Sequence, residues 1–514
     1  MTQGHDLRAI GRVVMDAAHG RVGPVRSSSG VADPISSLSV DVRLPQAYSG
    51  ARSLPMTDDL LTALRNELAG LPARVAAGPV SRSADPAAVR AEVAEAFDLA
   101  RPLPAEEALG RAARLLAAHG VQVTHPRYFG LYNPSVRDAA PLGDALAALY
   151  NPQLAVWSHA PAAAELERHV LRRLAAALGR EGDSAAFTTG GAEANLTAAL
   201  AALARKAPGW ERDGVRALPA RPAIYASAEA HHSFVKIARI VGLGAEALRE
   251  VPVDARLLML PGALEERIRA DRAQGFAPLM VVGTAGTTGA GVIDPLAALA
   301  EVAARAGAWF HVDAAYGGTA ALVPRLRPTL GGIERADSVT WDAHKGLSVP
   351  MGAGMIFCRD ADALRRAFAV STTYMPSAAA DEPYTATLQW SRRAIGLKVL
   401  FALAESGLAG AGDVFEHQAR MGERLRERLV GAGWELLNDT PLPVVCFTHP
   451  SLRDDPRRLA AVVSEVVGRG RAWISEVVLS GQVKAVRACI TSFRTEEADL
   501  EVLLEELERA RAVR

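Results

Sequence analysis

WFHVDAAYGG, from Trp309 to Gly318, and SVTWDAHKG, from Ser338 to Gly346, decide the reading of this chain. Each opens as a short, mostly apolar run of the kind that forms a buried strand. Each run closes on an acid, Asp313 in the first and Asp342 in the second, and Lys345 follows Asp342 by three residues. A carboxylate that ends an apolar strand is costly unless a cation meets it. Lys345 follows Asp313 by 32 positions. That leaves room for one crossover and one strand, and so places both residues at the same sheet edge.

Working outward, AIYAS (223–227), LMVVGT (279–284) and GMIFC (354–358) read as further buried strands. Ala-, Leu- and Arg-rich helical stretches such as PLAALAEVAARAG lie between them. Strand and helix in alternation imply an α/β fold with a mostly parallel sheet and right-handed crossovers. Ligands of such sheets sit beyond the carboxyl ends of the strands. Before this region, residues 57–118 read as helical, with a stop at Gly70 and proline-led starts at Pro86 and Pro104. After a long helix at 392–407 the texture changes. PLPVVCFTHP and VKAVRACITSFR read as strands, flanked by helices at 415–433 and 496–511. We therefore expect a helical N-terminal segment (1–138), a large α/β domain (139–405) and a small C-terminal α+β domain (406–514).

Lys+Arg and Asp+Glu number 57 each, so the formal net charge is zero and gives no electrostatic reason to expect nucleic acid or an anionic membrane as partner. Three cysteines without CxxC spacing point away from a disulfide framework or a zinc site and fit a reducing compartment. No apolar run approaches the roughly 20 residues needed to span a bilayer. The expectation is a cytoplasmic enzyme without a metal.

The chemistry gathers at the predicted strand ends. A partly desolvated lysine can serve as a nucleophilic amine, and Lys345 is placed for that. The plainer reading is a lysine that neutralises Asp342 or caps a helix. A pyridinium nitrogen would supply the cation that Asp313 lacks, and its protonation turns such a ring into an electron sink. Alternatively, Asp313 N-caps the next helix. Small Ala315 would let a flat ring lie close. FTTGGAEAN offers Gly190 and Gly191 before a helix start, where backbone N–H groups bind phosphate, although a Gly-Gly turn is commonly only a turn. Thr287 and Thr288, in GTAGTTGAG, are a second anchor candidate. His231, after AIYAS, can stack on a flat cofactor and donate to a substrate carboxylate. With His232 it could also form a plain loop or ligate a metal, but no third ligand has suitable spacing.

FTTGGAEAN, EAHHS, HVDAAYGG and DAHKG, in this order, resemble the group II pyridoxal 5'-phosphate (PLP) dependent amino acid decarboxylases, of PLP fold type I. The resemblance runs from about His125 to the C-terminus. It includes His125–Phe129, the pair Arg392 and Arg393, and more loosely Arg487–Thr495. It implies that Lys345 carries PLP as a Schiff base and that Asp313 pairs with the ring nitrogen. Ala315 and His231 would cover the two ring faces. Gly190, Gly191 and Ala192 would cradle the phosphate, helped by His344, with Thr287 and Asp342 nearby. A homodimer with shared active sites is implied as well. The chain departs from the pattern in having Gly346 where Trp often follows the lysine, and Ala192 where a hydroxyl residue is frequent. The family's catalytic loop tyrosine has its closest equivalent in Tyr374, with Tyr384 second.

The expected activity is decarboxylation of an L-amino acid to its amine and CO2, with His231 or Tyr374 protonating Cα. Rival readings are another PLP reaction on the same scaffold (carbon–carbon lysis, transamination or oxidative deamination to aldehyde) and a non-catalytic scaffold. Tyr128, Phe129, Tyr132 and Trp157 would line a pocket for an aromatic or apolar side chain, or serve as core aromatics. Arg127 would instead suit an acidic substrate, or simply bind a neighbouring carboxylate, and the expectation leans towards an aromatic or hydrophobic amino acid.

Overall fold

The computed structural model describes residues 58–372 and 382–513. The five strands expected from periodicity are present, and two sheets organise the chain. The first has seven strands in the order β1-β7-β6-β5-β4-β2-β3. They are β1 (Ser184–Thr188), β2 (Arg221–Ser227), β3 (Leu248–Val251), β4 (Phe276–Thr284), β5 (Trp309–Asp313), β6 (Ser338–Asp342) and β7 (Gly354–Cys358). Only β7 runs against its neighbours, β1 and β6. All other strands therefore end on one edge of the sheet. β5, β6 and β7 are buried at every position, as strands covered on both faces must be.

The link from β5 to β6 contains three short 3-10 segments, Gly317–Leu322, Arg327–Leu330 and Ile333–Arg335, rather than an α-helix. The second sheet is antiparallel, in the order β10-β11-β9-β8. It comprises β8 (Glu435–Leu436), β9 (Val444–Thr448), β10 (Ser475–Leu479) and β11 (Val483–Cys489). Its core joins Phe447, Val486, Leu500 and Leu503.

Some expectations need correction. Gly70 does not stop its helix, which continues through Pro72 to Ala77. A glycine stop needs the left-handed conformation, and Gly70 is not among the positive-φ glycines. The strand read through to Arg494 ends at Cys489. The helix expected from Arg392 begins at Gly396, and Gly407, with φ 69°, breaks it. β3, β8 and β10 were not among the expected strands, although SEVVL of β10 carries strand-forming valines. β10 alternates half-buried with exposed positions until Leu479, which is the pattern of an edge strand. Among the described residues no helix is long and apolar enough to cross a membrane.

Candidate active site

The carboxyl ends of β1, β2, β4, β5 and β6 deliver, in turn, the Gly190–Ala192 turn, His231, Thr287, Asp313 and Lys345. Five segments scattered over about 150 residues thus share one edge. Gly354 of β7 lies in register with both Thr188 and Asp342. A Cβ on Gly354 would strike the Gly190 backbone at 2.6 Å, so this glycine lets the β1 turn close over the sheet.

Lys345 lies on the single helical turn Ala343–Gly346. Its Nζ is 3.2 Å from Asp342 Oδ2 and 5.6 Å from the centre of the Tyr132 ring. Asp342 is buried, and its Oδ1 has no hydrogen-bond partner among the described residues. His344 Nδ1 accepts the Ala353 N–H at 3.3 Å. The proton is therefore on Nε2, which is 3.7 Å from Asp342 Oδ2. Burial lowers the pKa of His344, against the opposing pull of Asp342. A Cβ on Gly190 would touch the His344 ring at 3.5 Å, so the two expected phosphate neighbours do meet.

Gly346, where the family pattern often has Trp, has a local cause. A Cβ there would lie 2.1 Å from Thr319 Oγ1. That hydroxyl accepts the indole N–H of Trp341 at 3.0 Å, so Thr319 fills the space.

Asp313 is buried, with Oδ1 accepting the Ala315 N–H at 3.1 Å and Oδ2 accepting the Asn195 amide at 2.8 Å. Among the described residues no lysine or arginine pairs with it. His231 Nδ1 accepts the Ser233 N–H at 3.2 Å, leaving the proton on Nε2. Partial desolvation lowers the His231 pKa. The Asp313 carboxylate opposes this shift and the Lys345 cation adds to it. The helix Gly191–Lys206 leaves its first amides, those of Gly191 and Ala192, without intrahelical acceptors. A Cβ on Gly191 would lie 2.8 Å from Asp342 Oδ2 and 3.2 Å from the Ala315 Cβ. Thr287 closes a tight turn, its hydroxyl accepting the Val292 N–H at 3.2 Å. Its carbonyl accepts the Tyr132 hydroxyl at 3.4 Å.

The aromatic candidates separate. Phe129 is fully buried in the C-terminal core. Tyr128 is buried against Trp473, with its hydroxyl donating to Asn133. Trp157 donates to Glu165. Tyr132 is the member of this group whose ring stands beside Lys345. Tyr374 falls outside the described residues. Tyr384 donates to the Val370 carbonyl at 3.5 Å and stacks on Trp390. Arg392 is buried in an ion pair with Glu167 at 2.7 Å. No cluster of three or more His, Cys, Asp or Glu side chains that could hold a metal occurs among the described residues.

Sequence reasoning passed over Asn195, four residues after Gly191, although that helical spacing turns it towards the sheet. It gave no role to Arg487 of β11. This arginine is buried, and its guanidinium lies 5.0 Å from the Tyr132 ring, the ring that also flanks Lys345.

Residues 91–449 match the pyridoxal-dependent decarboxylase conserved domain. The chain belongs to the pyridoxal-dependent decarboxylase family. Mouse cysteine sulfinic acid decarboxylase is 31% identical over 419 residues, covering 77% of this chain and 84% of the mouse protein. A bovine acidic amino acid decarboxylase is 29% identical, over 76% of this chain and 78% of its own. The crystal structure of mouse CSAD in its apo form superposes with a TM-score of 0.81 at 27% identity, over 88% of this chain and 99% of that one. An Oryza sativa TDC structure with PLP and tryptamine, at 24% identity and TM-score 0.82 over 90% of this chain and 99% of that one, shares the fold.

The family's cofactor is PLP, and this site fits it. A buried carboxylate without a cationic side chain suits a protonated ring nitrogen, and the glycine-backed turn with free amides suits a phosphate. Lys345 would hold the group covalently. Asp313 would meet its ring nitrogen, with Ala315 and His231 at its faces.

Proposed function

We propose that this family member decarboxylates an L-amino acid with an acidic side chain, and that Arg487 recognises that side chain. The observation that carries the reading is the burial of Arg487 close to Tyr132 and through it to Lys345. Its Nη1 reaches Ser475 Oγ at 3.5 Å and the Tyr132 hydroxyl borders the guanidinium, but Nε and Nη2 have no well-formed acceptor, and no carboxylate pairs with it, among the described residues. A buried guanidinium with free N–H groups calls for an anion. An amino acid offers two, but the α-carboxylate loses its charge as it leaves as CO2. A permanent cation fixed on it would stabilise the ground state more than the transition state and slow the reaction. Arg487 is better suited to an anionic group that survives the reaction. The relatives named for cysteine sulfinic acid and acidic amino acids support this reading. The case for an aromatic substrate weakens once Tyr128 and Phe129 are engaged in core packing.

When bound, PLP supplies a ring that withdraws the electron pair left at Cα. The remaining work falls to the chain. Asp313 keeps the ring nitrogen charged, and Gly191 and Ala192 hold the phosphate. His231 presents a proton on Nε2, with Tyr374 as the alternative donor.

The test compares amine and CO2 release from cysteine sulfinate, aspartate and glutamate with release from phenylalanine, tyrosine and tryptophan. Loss of a charged hydrogen bond is worth about 1.5–3 kcal/mol, so Arg487→Met should raise KM for the acidic substrate about 10- to 100-fold. A preference for aromatic substrates that Arg487→Met leaves unchanged would overturn the reading. Aldehyde or keto acid in place of amine would favour the rival chemistry.

A homodimer is proposed with it. Leu142 and Leu149, seven residues apart on one helix face, are 56% and 67% exposed, and Tyr150 is 80% exposed, an apolar surface that pairing would cover. Sedimentation of the holoenzyme at twice the chain mass is the expected result. The three cysteines are free and buried, in keeping with a role in the reducing cytoplasm.

A further inference from the structure

Behind Asp313 lies a buried polar cluster. His311 and Asp313 are two residues apart on β5, and Ser338 and Thr340 two apart on β6, so each pair shares a face. The register sets His311 beside Ser338 and Asp313 beside Thr340. This square of four side chains is covered by Asn195 from the helix Gly191–Lys206. All five are buried. Asn195 Nδ2 is 2.8 Å from Asp313 Oδ2. Asn195 Oδ1 receives the Thr340 hydroxyl at 2.7 Å and lies 3.1 Å from His311 Nε2. His311 Nδ1 is 2.8 Å from Ser338 Oγ, which in turn takes the Trp309 indole N–H at 2.7 Å.

With the Asn195 N–H on Asp313, the donors and acceptors fit together in one direction. Burial holds the His311 pKa down at about 4, so its ring is neutral and has one donor and one acceptor. An amide oxygen can only accept, so with Asn195 Oδ1 against Nε2 the His311 proton is on Nε2, and Nδ1 accepts the Ser338 hydroxyl, which takes the Trp309 indole N–H on a lone pair. Nε2–H then donates to Asn195 Oδ1. That oxygen therefore accepts two protons, one from His311 and one from Thr340, and the amide cannot turn over. Its N–H must face Asp313. A carboxylate accepts that N–H, whereas a carboxyl protonated on Oδ2 would place two hydrogens against each other. On Oδ1 the Ala315 N–H imposes the same condition.

We propose that Asn195, locked by His311 and Thr340, is a positioning residue that keeps the shared proton on the ring nitrogen of bound PLP and off Asp313. The inference rests on the family's cofactor and not on the substrate class, so it can be tested without substrate.

The experiment is nitrogen-15 NMR of holoenzyme loaded with PLP labelled at the ring nitrogen. Melting temperature and cofactor stoichiometry are recorded alongside. The unaltered enzyme should show a protonated ring nitrogen. His311→Phe/Thr340→Val removes both locking donors, and its ring nitrogen should shift towards the neutral pyridine value. His311→Gln, which keeps an N–H donor, should restore most of the protonated signal. Thr340→Val alone is nearly isosteric and guards against failure of the double variant to fold. It should give a smaller shift in the same direction, with kcat falling and KM unchanged. A protonated signal in every variant that retains cofactor would overturn the proposal.

Discussion

Gly191 backs directly onto Asp342: a Cβ on the glycine would lie 2.8 Å from Oδ2, the oxygen that stands 3.2 Å from Lys345 Nζ. The turn that would cradle the phosphate and the acid that pairs with the lysine are therefore packed as one unit. Gly191→Ala forces Asp342 or the turn to move, and such overpacking costs about 1–3 kcal/mol. At about 1.4 kcal/mol per factor of ten, we expect the apoenzyme's affinity for PLP to fall by roughly tenfold or more. A cofactor titration followed by absorbance reads this directly. Unchanged affinity would show that the turn does not touch the cofactor.

Glu167 joins two parts of the large sheet's surroundings. One oxygen accepts the Gly396 N–H at 2.8 Å at the start of a long helix, and the other pairs with Arg392 at 2.7 Å. Both side chains are almost fully buried. Removing one partner of such a pair strands the other charge, at about 3–5 kcal/mol. Glu167→Ala should lose about that much stability in urea unfolding. Glu167→Gln should lose less, because its carbonyl still accepts from Gly396. Equal losses for both would mean the charge is not what matters.

Acid should destabilise the fold through its buried histidines. His125 and His311 both have pKa values lowered to about 4, chiefly by burial. Once unfolded they take up protons near the ordinary value of about 6.5. Below that pH the unfolded chain binds more protons than the folded one, so stability falls as pH drops from about 6.5 towards 4. Each fully buried histidine contributes up to about 1.4 kcal/mol per pH unit in that window. The melting temperature should decline across it, and less steeply in His311→Gln. Parallel declines in the two proteins would remove His311 from the account.

Much of this was legible in the chain itself. β5 and β6 announce themselves because a buried parallel strand must be a short apolar run, and the acid that ends each one is conspicuous because burial makes it costly. The spacing between Asp313 and Lys345 admits one crossover, so their shared edge follows from local geometry. The glycines at 190 and 191 read as a turn before a helix for the same local reason.

What the chain alone left open depends on contacts between distant segments. Nothing near Asp313 in sequence names Asn195 as its partner, because the bond forms only when the helix after β1 lies across β5. That Arg487 would be buried with free N–H groups beside Tyr132 depends on how β11 packs, and that Tyr128 and Phe129 would turn into the C-terminal core depends on side-chain packing no motif records. The sequence by itself determined which residues have the chemistry and at which sheet edge they gather, because strand period and spacing are local properties. Only the tertiary structure decided which of them meet, because burial, hydrogen-bond direction and charge pairing belong to pairs of segments brought together by the fold.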